Sequence, residues 1–374
     1  MIPFKPLQRS FHTATLINDK LYIMGGKSID SNLNEFFYLD TSVTFNIQNL
    51  PWVDLSNTIT FPSSYGTASV KGGANNDTLF LFGGNTTNPN TPSLYMFDTQ
   101  SHSWIVASLI VKNTGTEFRK SYLTGIIDNN RKMYLFGGYD GLKSLNDMFT
   151  IDTIKLIMGE VDMDSNAPTP RNNYGATLLP NNNIIYLGGY NVEAELQLDL
   201  VYIYNTMNNN WNMMIATGTV PSSRNSFSTI LGLDGLNVII FGGTTTFSAK
   251  SLEPEDSIYE LNLSNFEWNI PKISNTSKIP SSRMYHKANV IGNYMVVSFG
   301  IGYDPLTESD ILLLDISNKN EYAWTNTFVN SPPSTTTFVK SITTNTPKST
   351  QLTNFIGLII GSLIYVIIYY IKVN

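Results

Sequence analysis

The sequence predicts an all-β fold, a six-bladed β-propeller, and three observations carry that prediction. A short apolar run ending in a double glycine occurs five times, with a degenerate sixth copy. The first glycines, at 25, 83, 137, 188, 242 and 300, are 58, 54, 51, 54 and 58 residues apart. Around the copies the same markers recur in one order, with single departures: an arginine, the glycine run, an apolar, mostly aromatic segment ending in Asp or Asn, and a tryptophan. Runs this short, rich in β-branched and aromatic residues, read as buried strands. Their regular return marks a repeat array. Small four-stranded sheets cannot bury both faces alone, so they must stack on neighbours, and radial stacking makes a propeller.

The glycine run appears as Leu21–Gly26, Leu79–Gly84, Met133–Gly138, Ile184–Gly189 and Val238–Gly243. Its doublets are Gly25-Gly26, Gly83-Gly84, Gly137-Gly138, Gly188-Gly189 and Gly242-Gly243, and the weak copy is Gly300-Ile301-Gly302. Paired glycines mark backbone that needs positive φ or a very close neighbour. Upstream lies P-x-x-R, at Pro6–Arg9, Pro168–Arg171, Pro221–Arg224 and Pro280–Arg283. The third repeat keeps Arg119 without the proline; the second keeps Pro62-Ser63-Ser64 and puts Tyr65 where the arginine is expected. Three residues after each arginine an aromatic or histidine is expected: His12, Tyr122, Tyr174, Phe227 and His286. Turn residues such as Asn18-Asp19, Asn129-Asn130 and Asp234-Gly235 then join a first strand to the glycine strand. A third strand ends at Asp40, Asp98, Asp152, Asn205, Asn262 and Asp315, and a fourth carries Trp52, Trp104, Trp211, Trp268 and Trp324. In the third repeat that last slot falls near Met158.

Arg-x-x-aromatic, then apolar-Gly-Gly, then Tyr-x-x-Asp, then Trp strongly resembles the kelch repeat, over roughly residues 5 to 329. Repeats two, three and six depart from it at the Arg, the Trp and the Gly-Gly respectively. Residues 1–329 are therefore expected to form the propeller. No leftover strand is obvious for closing the ring, though residues 1–8 are free to pair with the last blade.

The 374 residues are 42% hydrophobic and 14% charged, with a net charge of −6 and no cysteine. That balance gives no electrostatic case for nucleic acid. Lack of cysteine excludes disulfides, thiolate metal sites and cysteine nucleophiles. After Asn330 the composition turns to Ser, Thr, Pro and Asn, so residues 330–351 read as a disordered stalk. Residues 352–372 then read as one transmembrane helix, with an uncharged run from Phe355 to Ile371. Gly357 and Gly361 form a GxxxG pattern that suits helix dimerisation. The side of the membrane stays open. The start lacks a signal-peptide core, which suits a cytosolic head, whereas sequons at Asn76, Asn85, Asn262 and Asn275 suit a lumenal or extracellular one. Replacement of the helix by a lipid anchor is disfavoured by Lys372.

Two readings exist for Arg9, Arg119, Arg171, Arg224 and Arg283. One is a basic ring at a channel mouth that grips acidic groups, as the kelch resemblance allows; the other, favoured, is a set of ties that join neighbouring blades through backbone carbonyls. The recurring Tyr and Trp read as packing residues, and the three scattered histidines as structural. The loops after the doublets vary while the strands hold constant, which is where recognition usually lives. Thr244–Ser257 is the longest and carries Glu253, Glu255 and Asp256, so these are candidate partner contacts. Galactose oxidase, a relative of kelch propellers, relies on a tyrosine cross-linked to cysteine, which this chain cannot make. A Ser-His-Asp order, a phosphate loop and a sialidase pattern are likewise missing. The expectation is a non-enzymatic, membrane-tethered protein-interaction module with no cofactor, against the alternative of a propeller enzyme or carbohydrate binder at the mouth.

Overall fold

The computed structural model describes residues 4–59, 63–86, 93–112, 120–245, 251–253, 256–275 and 277–330. Its strands form six four-stranded antiparallel units, each built from one repeat. Blade 1 is Thr13–Ile17, Lys20–Met24, Phe36–Asp40 and Trp52–Asp54. Blade 4 is Gly175–Leu178, Asn183–Leu187, Leu200–Asn205 and Asn210–Ile215. The innermost strands touch in ring order, from Thr13–Ile17 through Ala68–Gly72, Gly125–Ile127, Gly175–Leu178, Ser228–Leu231 and Lys287–Ile291 back to the first.

The glycine strands are the buried centre of each blade: Leu21, Ile23, Met133, Leu135, Ile184, Leu187, Val238 and Phe241 are all sealed from solvent. At the end of each third strand the Asp or Asn makes an Asx turn. Oδ1 of Asp40, Asp98, Asp152, Asn205, Asn262 and Asp315 accepts the amide two residues on, at 2.7–3.0 Å. The tryptophans pack each blade onto the one before it. Trp104 lies 5.1 Å from Phe36, Trp211 5.2 Å from Phe136 and Trp324 5.4 Å from Phe241, centroid to centroid. Trp268 adds a bond from Nε1 to the Leu198 carbonyl at 2.9 Å. Met158 faces Ile151 as Trp211 faces Tyr204, so it fills the tryptophan slot of blade 3.

One hydrogen bond repeats around the whole ring. The second doublet residue of each blade donates to the carbonyl at the start of the next: Gly26 to Ser64, Gly84 to Lys120, Gly138 to Arg171, Gly189 to Arg224, Gly243 to Arg283, and Gly300 to Arg9, all at 2.8–3.0 Å. This ring sets the register and corrects three sequence assignments. Blade 2 has Ser64, not Tyr65, in the arginine slot. Blade 3 has Lys120 there, while Arg119 lies outside the described residues. The sixth doublet is Phe299-Gly300, with φ of 47° and 102°, so Gly302 stands outside it. It follows that Leu123, not Tyr122, is the blade 3 counterpart of His12 and Tyr174.

A short strand that the sequence did not reveal closes the ring. Thr327–Phe328 pairs antiparallel with Phe45–Asn46 of blade 1, and the Phe45 and Phe328 rings stack at 4.8 Å. Asn330 Nδ2 adds a bond to the Ser42 carbonyl at 2.7 Å. Elsewhere the segments between blades occupy similar outer positions: Ile110–Lys112 and Thr217–Gly218 each pair parallel with an outer strand. The stalk from residue 331, the expected transmembrane helix with Gly357 and Gly361, and Glu255 lie outside the described residues. Among the described residues no helix is long and apolar enough to cross a membrane.

Candidate partner-binding mouth

The inner strands begin, and the double glycines end, on one face of the propeller, so that face collects the arginine slots and the variable loops. Arg9, Arg171, Arg224 and Arg283 reach equivalent places and are at most 2% exposed. Nη1 of Arg9 donates to the Gly25 carbonyl at 2.9 Å, and Nη1 of Arg171 to that of Gly188 at 3.0 Å. Nε of each returns to the carbonyl two residues back, Leu7 and Thr169, both at 3.1 Å. Burial pushes Arg171 and Arg283 down to about 10 and lowers Arg9 and Arg224, against the raising pull of nearby acids and tyrosines.

The slot has two further partners in its own blade. A ring from the third strand lies under the cation: Phe37 under Arg9, Phe149 under Lys120, Tyr202 under Arg171 and Tyr259 under Arg224, at 4.4–5.3 Å. An acid at the end of the post-doublet loop pairs with it: Glu35 with Arg9, Asp147 with Lys120, Asp256 with Arg224 and Glu308 with Arg283. Asp256 also accepts from Tyr259 Oη at 2.5 Å. These arginines and Asp256 therefore hold loop ends to the blade. Glu253 is exposed on the same loop.

What the face turns outward is a collar that sequence reading did not single out. Two residues after each arginine slot stand Phe11, Gly66, Tyr122, Asn173, Ser226 and Tyr285, all with φ between 50° and 65°. Each donates its amide to the carbonyl of the preceding member, Phe11 to Tyr285 closing the circle, at 2.8–3.0 Å. Left-handed backbone costs a non-glycine residue about 1–2 kcal/mol, and this closed circle of bonds holds five such residues in place. The shared signal was conformation rather than residue type, which is why no motif announced it. The conformation aims side chains over the channel. Phe11 stacks on Tyr285 at 3.9 Å and meets Tyr122 edge-on at 5.4 Å, with Tyr65 at 6.2 Å. Burial raises the phenols of Tyr122 and Tyr285, keeping both neutral.

Beside the collar runs a groove of about 460 Å³, walled by Phe11, Tyr122, Tyr139, Leu142, Tyr190, Val192 and Tyr285, with Asn172, Asn173, Asn225 and Glu195 along it. Tyr139 and Tyr190 directly follow doublets, and each bonds through Oη to its own loop, at Gly141 and Val192. Leu142 is 88% exposed. The surface joins rigid rings to amides that brace one another: Asn172 Nδ2 donates to Ser144 Oγ at 2.8 Å, Asn173 Nδ2 to Asn172 Oδ1 at 2.9 Å and Asn225 Nδ2 to Glu195 Oε1 at 3.4 Å. No group of three or more His, Asp and Glu converges among the described residues. Of the sequon asparagines, Asn275 is exposed and Asn76 and Asn262 are half-buried. Asn85 belongs to the mouth, donating to Tyr122 Oη at 3.1 Å.

Comparison with known proteins agrees with this architecture. A profile of the KLHDC2/KLHL20/DRC7 Kelch-repeats domain matches residues 41–243 and 176–346. Kelch domain-containing protein 3 of Rattus norvegicus is 25% identical over 337 residues, covering 83% of this chain and 85% of that protein. Leucine-zipper-like transcriptional regulator 1 homolog of Drosophila melanogaster is 25% identical over 315 residues, covering 79% of this chain and 30% of its own length. Acyl-CoA-binding domain-containing protein 5 of Arabidopsis thaliana is 23% identical over 330 residues, covering 84% and 47%. With its repeats, its blades and this match in agreement, the chain belongs to the KLHDC2/KLHL20/DRC7 Kelch-repeats domain family.

Proposed function

We propose that this chain is a membrane-tethered interaction module that binds an extended segment of a partner protein across the mouth, with no catalytic step. The observation that carries the reading is the groove itself: rigid aromatic walls for apolar side chains, with the half-buried Asn173 amide and the Glu195 carboxylate along its edge. Aromatic anchors with few rotatable bonds lose little entropy on binding, which is why they concentrate binding energy at interfaces. Glu195, the acid in the groove, favours a basic group on the bound segment. Tethering rests on the apolar run from Phe355 to Ile371. The sequons leave a lumenal or extracellular head open, where exposed Asn275 is the best placed acceptor.

Photo-crosslinking in cells tests the site. A crosslinker placed at Tyr139 or Tyr190 of the full chain is expected to capture a discrete protein. One at Ile154, exposed in the turn after a third strand on the opposite face, is not. Equal capture at both faces removes the mouth from the account.

A further inference from the structure

Below the collar the propeller axis holds two connected chambers. The upper, about 100 Å³, is walled in part by Thr67, Thr124, Ser228, His286 and Lys287. The lower, about 380 Å³, shares Lys287 and reaches Lys71 near the far ends of the inner strands. The space exists because the register position of Lys287 is filled in the other blades by Thr13, Ala68, Thr124, Gly175 and Ser228. Among the described residues, neither chamber has a carboxylate in its wall. Lys287 is half-buried against the chamber wall, desolvation pushes it down to about 8, and among the described residues no hydrogen bond or ion pair holds its ammonium. An enclosed cation without a counter-charge is expensive, and this one faces an open, hydroxyl-lined space.

We propose that the channel binds a small oxyanion, a phosphate or a carboxylate, on Lys287, admitted from the end guarded by Lys71. The site is separate from the aromatic groove, so it stands or falls independently of the partner-binding reading. The hydroxyls of Thr67, Ser69 and Ser228 line the path. Ser69 pairs with Thr15 Oγ1 at 2.5 Å and Ser228 with His286 Nε2 at 2.8 Å, so Thr67 is the first uncharged donor and the other two would turn to an anion by exchanging these bonds.

Thermal unfolding of the full chain in inorganic phosphate or acetate, against sodium chloride at matched ionic strength, tests the proposal. A saturable rise in Tm with either oxyanion is expected, and the better of the two names the source. Lys287→Met should abolish the rise while raising Tm in chloride, because it removes an unpaired charge. Lys71→Met should weaken binding several-fold. Ala288→Leu, which fills the chamber and keeps the lysine, should also abolish the rise, and it serves if Lys287→Met does not fold. No saturable rise with either anion, or an undiminished one in Lys287→Met or Ala288→Leu, overturns the site.

Discussion

The amide of Gly300, in the sixth blade, donates to the carbonyl of Arg9, in the first, at 2.9 Å. It is the bond by which the end of the repeat array recognises its beginning, and five equivalents join the remaining blades. The double glycine is thus an inter-blade joint. Its first residue runs against the next blade: a Cβ on Gly137 would stand 2.6 Å from the Arg171 carbonyl oxygen. Its second residue takes positive φ so that its amide can face that same carbonyl.

Two glycines of blade 3 separate the two costs. Gly138, at φ 92°, would place a Cβ 2.9 Å from the Ser121 carbonyl oxygen; Gly141, at φ 102°, would meet nothing within 4 Å. Gly141→Ala should cost about 1–2 kcal/mol for conformation alone. Gly138→Ala should cost roughly 3 kcal/mol or more, since backbone must also move. Urea unfolding measures both, and equal losses would refute the close-approach argument.

Phe328 is 1% exposed and stacks on Phe45, so it is the anchor of the ring's clasp. Phe328→Ala should lose about 3–5 kcal/mol. The loss should be local to the seam: amide exchange at Gly300 should accelerate more than at Gly138, on the far side of the ring. Uniform acceleration would mean that Thr327–Phe328 does not close the propeller.

Arg224 and Arg171 differ in one respect: the first pairs with Asp256, while no carboxylate pairs with the second among the described residues. Arg224→Met removes carbonyl bonds and leaves Asp256, itself more than a third exposed, without its cation, so it should cost about 2–3 kcal/mol, part of it recovered by adding Asp256→Asn. Arg171→Met orphans carbonyls only and should cost about 1–3 kcal/mol. A double-mutant cycle in Arg224 and Asp256 gives the coupling, and a value of zero would remove the ion pair from the account.

Burial, aided by Arg283 and Lys287, pushes His286 down to about 3, and burial with Arg9 holds His12 well below its usual value. Both are therefore neutral when folded and protonated in the unfolded chain below about pH 6.5. The unfolded state binds the extra protons, so stability rises with pH across that window and falls on acidification. Each histidine contributes a slope of up to about 1.4 kcal/mol per pH unit. His286→Gln should flatten stability against pH by one proton between pH 6 and 5. An unchanged slope would show that His286 titrates normally.

The blade count was legible because buried glycine strands and inter-blade tryptophans obey strict spacing, and Met158 shows that the slot outlives its usual residue. Register failed where spacing stretched: Lys120 and Ser64 are identified by their carbonyls, which no side chain advertises. The collar was hidden for a related reason. Phe11, Gly66, Tyr122, Asn173, Ser226 and Tyr285 share a backbone conformation and almost no chemistry. The clasp was missed because two paired residues, Thr327 and Phe328, are too few to show a period. The arginines were legible as a repeat, but their carbonyl bonds lie within their own blades, to Gly25, Gly188, Asp256 and Ser309, rather than between neighbours.

The central claim is a division of labour, with arginines holding the blades and the aromatic mouth meeting the partner. Its most direct measurement is the affinity of the full chain for its crosslinked partner, taken beside thermal stability in two variants. Tyr139→Ser with Tyr190→Ser should lose at least ten-fold in affinity while stability changes by no more than about 1 kcal/mol. Arg171→Met, assayed at a temperature where it remains folded, should bind as the parent does despite its lower Tm. Retained binding in the tyrosine variant together with lost binding in folded Arg171→Met would contradict the account.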